Sequence, residues 1–172
     1  MSPAADAAVG DAARLLRSGL LVIAALTIAG TTLELAFSRH WGDPIRLLPW
    51  VALGVLAVPT AVLAVRPSPT AIRLARGVTA LVLAASLFGV VRHVVANYDA
   101  GPLDARYETR WATLSALERW WTAATGGVGP SPPLAPAAMA SAALCVLVAT
   151  LRHPAADTDS SSSLNPADMR AS

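Results

Sequence analysis

Four stretches without a single charged side chain, 18–33, 47–65, 77–91 and 134–151, constrain this chain more than any other feature. A helix needs about 20 mostly apolar residues to cross a hydrocarbon core about 30 Å thick. Four crossings use about 80 residues, and the rest of a 172-residue chain divides among loops and tails. No sizeable soluble domain fits. Charged side chains make up only 14% of the sequence, against about 25% in ordinary soluble domains. The expectation is an all-α, polytopic membrane protein with four transmembrane helices over about 15–37, 47–65, 72–97 and 134–152. They form a membrane domain over 14–153, between a flexible amino-terminal tail (1–13) and a disordered, Ser/Asp-rich carboxy-terminal tail (154–172). Pro49 suits the first turn of the second helix, whereas Pro59 lies inside it and predicts a kink.

The charges exclude several function classes. All 13 basic residues are arginine, and a net charge of +2 lacks the basic footprint of a nucleic-acid binder. The single cysteine, Cys145, allows neither an intramolecular disulfide nor a CxxC redox pair. The first apolar run exceeds a signal h-region of about 7–15 residues, so it reads as an uncleaved first helix. The Gly126-Gly127-Val128-Gly129 run lacks GxGxxG spacing, and no GxxxxGK[ST] or GxSxG motif occurs. No enzyme template and no cofactor is therefore expected.

The third loop, 98–133, is the long one. Within it Tyr107, Trp111, Leu114, Leu117 and Trp121 recur at helical spacing, which predicts an amphipathic interfacial helix over about 103–125. Trp41, Trp50, Trp111, Trp120 and Trp121 are the expected headgroup anchors. Four passes place both termini and the 66–73 connection on one side, with Arg14, Arg17, Arg66, Arg73, Arg76 and Arg152. The positive-inside rule then puts both termini in the cytoplasm and the protein in the cell membrane.

The same topology carries the ends of the first and third helices to one extracytoplasmic face. Glu34 is the only carboxylate inside any of the four spans, and an ionisable group there is costly enough to suggest function. With His40, Arg92, His93 and Asn97 it forms the candidate polar site. Imidazole and carboxylate ligands suit a divalent transition metal, so Glu34, His40 and His93 are weak metal candidates. A single haem between His40 and His93 is weaker still, and three histidines cannot supply the four ligands of a dihaem cytochrome. The competing structural reading pairs Glu34 with Arg92 or Arg39 and leaves the histidines hydrated among headgroups. Small residues such as Gly19, Ala25, Ala29, Gly30, Gly54, Gly77, Ala85, Gly89, Ala138 and Ala142 read as helix-packing positions.

The chain resembles a group of uncharacterised bacterial four-helix integral membrane proteins over about 15–154. The resemblance rests on Glu34, Arg39-His40-Trp41, Leu47-Leu48-Pro49, His93 with Asn97, Leu134-Ala135-Pro136 and Arg152-His153-Pro154. It implies the four-helix fold and no assigned reaction. Small multidrug transporters also have four helices and an intramembrane glutamate, but here Glu34 sits toward a helix end and the third loop is long. The functional expectation is a non-enzymatic accessory component whose outer polar cluster binds a small ligand or partner. The lipid bilayer and a membrane protein or second copy are the expected partners. The alternatives are a proton- or cation-coupled transporter using Glu34 and a metal- or haem-binding membrane protein.

Overall fold

The computed structural model describes residues 3–154, without the side chains of Pro3 and Asp6. The expected disordered tail beyond Pro154 lies outside the described residues. Those residues form five α-helices and no strand: α1 (Pro3–Phe37), α2 (Leu48–Val65), α3 (Pro69–Ala100), α4 (Ala116–Ala124) and α5 (Leu134–Ala149). Three segments, Ala7–Phe37, Ile45–Val65 and Pro69–Leu103, are long and apolar enough to cross a membrane. The fourth apolar helix, α5, has 16 residues, about 24 Å at 1.5 Å per residue.

Local chemistry sets the helix boundaries. The backbone turns left-handed at Arg39 (φ 50°), and His40 N–H returns to Leu35 O to close the end of α1. Ser68 caps α3, its hydroxyl accepting from Ala71 N at 3.2 Å, with Pro69 in the first turn. At the other extreme α1 begins at Pro3, so residues 3–13 are helical rather than a flexible tail. The alanine-rich segment has high helix propensity, and Asp11 pairs with Arg14 one turn on. α2 runs as one helix through Pro59.

α5 lies between α1 and α3 and packs on both, while α2 closes the opposite side against the same two helices. α1 and α3 make almost no direct contact. The core joins Ala24 of α1, Leu56 and Leu63 of α2, Ile72, Ala75 and Val82 of α3, and Ala142, Ala143 and Val146 of α5. Alanines at the contacts let backbones approach closely. Of the glycines expected to do the same, Gly89 meets Pro136, whereas Gly19, Gly30, Gly54 and Gly77 face open space.

The bundle is apolar on its surface as well as in its core, with a few hydroxyls inside. Thr31, Thr60, Thr79 and Ser86 are buried, while Leu26, Leu33, Val58, Leu81 and Phe88 point outward. Thr60 and Thr79 satisfy their hydroxyls on the carbonyls of Leu56 and Ala75, one turn back in their own helices. An exposed apolar mantle of this extent suits a hydrocarbon solvent.

Two overhangs complete the shape. Arg17 donates to Arg152 O at 2.8 Å, and Arg76 bonds Thr150 through both its hydroxyl and its carbonyl, which fixes the end of α5 against α1 and α3. The part of α1 before Arg17 therefore projects beyond the bundle. At the other end the segment leading into α5 meets α3 at His93, and the last two turns of α3 project as a post.

Candidate functional site

The long third loop folds onto that post as a compact cap. Its helix is shorter than expected: only Ala116–Ala124 is α-helical, preceded by a 3-10 turn at Trp111–Thr113. The continuous helix over 103–125 does not form because side chains take over the backbone. Asp104 accepts from Arg106 N in a turn, and a Ser115/Glu118 capping box starts a new helix. Tyr107, Trp111 and Leu114 still gather around one small core, whereas Leu117 and Trp121 face outward.

That core consists of Trp111, Ala123 and Val128, with Val94, Tyr98, Tyr107 and Leu114 packed around it. Tyr98 meets Trp111 edge-on at 5.5 Å and stacks on Trp120 at 4.3 Å, while Tyr107 meets Trp111 edge-on at 6.1 Å. Trp111 is 5% exposed; it is buried in the cap rather than anchored among headgroups. The reason is Gly101, where any Cβ would overlap the Trp111 ring. Trp41, Trp120 and Trp121 keep exposed faces, and Trp50 donates its indole N–H to His40 O at 2.8 Å. All five tryptophans lie at the cap end of the bundle.

Asn97 staples the cap to α3. It is fully buried; its amide donates to Ala123 O (3.1 Å) and Ser131 O (2.8 Å) and accepts from Ser131 N (2.9 Å). Both its N–H groups are used, so Asn97 has no donor left for a ligand. Gly129, at φ 78°, passes so close that any Cβ would overlap Asn97. One turn earlier, His93 Nδ1 lies 3.0 Å from Pro132 O. A carbonyl only accepts, so Nδ1 carries the proton in this contact.

A clamp ties the start of the loop to its end. Asp104 accepts from Gly129 N at 3.2 Å and holds the Arg106 guanidinium at 2.9 and 2.7 Å. The hydrogen bonds from Arg106 keep the Asp104 carboxyl well below its ordinary value of 3.8. A carboxyl lowered in the folded state contributes in full above the ordinary value and stops contributing as pH falls through the lowered one. Protection factors for hydrogen exchange across 101–131, taken relative to the intrinsic amide rate at each pH, should therefore stay constant from pH 7 to pH 5 and fall only in strong acid. Asp104→Asn should remove that acid dependence, and protection that changes near pH 6 would contradict the clamp.

The remaining candidates do not join this assembly. Glu34 is exposed on α1 and its carboxylate makes no hydrogen bond or ion pair, so the expected pairings with Arg92 or Arg39 are not formed. Arg92 is exposed on α3, the helix diagonally opposite. His40 is half-buried after α1 and bonds through its backbone alone, its N–H to Leu35 O and its carbonyl to Trp50. Among the described residues no group of three His, Cys, Asp or Glu side chains could hold a metal ion, so Glu34, His40 and His93 do not form a shared metal site. The glycine and serine signals that mark the real cap, Gly101, Ser115 and Gly129, were present in the sequence as turn and capping chemistry. No protein-family model, curated protein or solved structure matches the chain.

Proposed function

We propose that the chain is a four-pass integral membrane protein with a binding rather than a catalytic role, docking onto another membrane protein through the α1 face around Glu34. The packing of α5 supports four passes. α5 is held between α1 and α3, both long enough to cross, and its ends meet Arg76 and His93 at the two ends of α3. Six arginines gather at the end that carries the termini, against Arg39 and Arg46 in the short loop at the cap end. This supports cytoplasmic termini and an extracytoplasmic cap.

The observation that carries the docking role is the environment of Glu34. It is a carboxylate on an apolar helix, turned away from the bundle and flanked by exposed Leu33 and Phe37. A charge facing lipid at a helix centre costs about 2.5–3.5 kcal/mol, less near an end, and a donor on a partner helix recovers it. Coupled transport would instead require the carboxylate to line a path between helices. The buried stripe of α1, Ala24, Thr31 and Leu35, lies on another face of the helix, which favours docking over transport.

Photo-crosslinkers placed at Leu33 and Phe37 in native membranes should give a discrete protein adduct that Glu34→Gln abolishes. The same probe at Phe88, outward on α3, should give lipid adducts alone. Lipid adducts alone at all three positions would overturn the proposal.

A further inference from the structure

A groove opens between α1 and α2 at the end that carries the termini. The two helices pack at the cap end through Leu35, Leu53 and Ile28, and toward the other end both line an open cavity. The space between them is about 820 Å³, inside the range of about 300–1,000 Å³ common for small-molecule sites. Its walls are mostly apolar: Ala25 and Ala29 on α1 and Ala57, Ala61 and Ala64 on α2 line it beside larger residues such as Leu21. Ala25 and Ala29 therefore line a gap rather than seal a helix contact. From Arg17 to Ala29 the groove runs about 18 Å along α1, close to half of a hydrocarbon core about 30 Å thick.

The mouth is basic. Arg14, Arg17 and His153 line it, with Ser18 beside them. Asp11 pairs with Arg14, and Arg17 spends one N–H on Arg152 O. Arg76 lies behind, bound to Thr150. Burial, with Arg17 and Arg76 adding to it, lowers the His153 pKa, consistent with a positive field at the mouth.

We propose that this groove is a binding site for one acidic phospholipid, its acyl chain lying between α1 and α2 and its phosphate headgroup held by Arg17 and Arg14. Depth and charge choose the occupant together. An apolar slot one leaflet deep fits an acyl chain, and basic side chains between helices at the membrane surface attract anionic headgroups. A neutral detergent or zwitterionic lipid fits the slot but gains nothing from the mouth. The site rests on the membrane-spanning reading above and is independent of Glu34 and its partner.

The test uses the full chain reconstituted in phosphatidylcholine bilayers, with insertion first verified by protection of α2 and α3 from aqueous labelling. Spin-labelled phosphatidylglycerol should show a larger immobilised fraction than spin-labelled phosphatidylcholine. Arg17→Gln should cut that preference about fivefold and leave the phosphatidylcholine signal unchanged. Filling the slot with Ala25→Phe and Ala61→Phe, both at exposed positions, should remove immobilisation of both lipids while the arginines remain. Millimolar inorganic phosphate should not compete, since it lacks the chain. Equal immobilisation of the two lipids, indifference to both sets of variants, or displacement by free phosphate would each overturn the proposal. So would a groove covered by a second copy, seen as disulfide-linked dimers of the Ala61→Cys variant. Failure of insertion itself would instead overturn the membrane-spanning reading.

Discussion

Replacing Asn97 with alanine should release the cap from α3 while leaving the helical bundle in place. The substitution leaves Ala123 O, which is buried, and Ser131 N and O, which are half-buried, without their partner. Unsatisfied buried groups cost about 1–3 kcal/mol each, and relaxation of the cap recovers part of that. The net expectation is about 3 kcal/mol, or about two orders of magnitude in the opening equilibrium. Hydrogen exchange read by mass spectrometry should speed up across 101–131 and stay unchanged in α2 and α5. Asn97→Asp makes a sharper version, because it keeps the oxygen that Ser131 N needs but loses both donated bonds and sets a carboxylate against two carbonyls. Unchanged exchange in both variants would show that the staple contributes nothing.

Trp111→Ala should have a comparable effect by a different route. Truncating a buried aromatic ring typically costs about 3–5 kcal/mol through lost burial and the cavity left behind. Here the ring fills the space that Gly101 leaves open and meets the edges of Tyr98 and Tyr107. The variant should lose near-ultraviolet dichroism from the aromatic cluster and become sensitive to protease between Asp104 and Ser115. Trp121, 69% exposed on the far side of α4, is the control. In detergent its alanine variant should change stability by no more than about 0.5 kcal/mol. Equal effects at the two positions would refute the assignment of Trp111 as the cap's core.

The contrast between these tryptophans shows what the sequence carries and what it withholds. The apolar runs announce long helices because a charge-free stretch of that length has few other fates. They do not say which run sits between which, since α1, α2, α3 and α5 are apolar on nearly every face and give no reliable phase. Glu34 illustrates the cost: its location in an apolar run was legible, but its outward direction depends on the buried stripe of Ala24, Thr31 and Leu35, which composition does not distinguish. Asn97 was legible as a polar residue near a helix end. Its role was not, because its principal partner, Ser131, lies in the last segment of the cap, 34 residues further along the chain. In the loop, helical spacing did bring Tyr107, Trp111 and Leu114 together. The capping pair Ser115 and Glu118 was the signal that a second helix starts there.

The central place of α5 also bears on how the protein is made. Chains fold progressively as they leave the ribosome, and α1, α2 and α3 emerge first. Without α5, α1 and α3 are bridged only by α2, and the alanine faces that will meet Ala142 and Ala143 have no protein neighbour. The cap is synthesised before α5, and its last segment, carrying Ser131 and Pro132, is gripped by α3 immediately ahead of Leu134. A cap that folds on emergence would hold the start of α5 in register beside α3, so that the final helix enters a slot already measured for it. Variants that loosen Asn97 would then act during biogenesis as well as afterward, lowering the yield of correctly inserted protein.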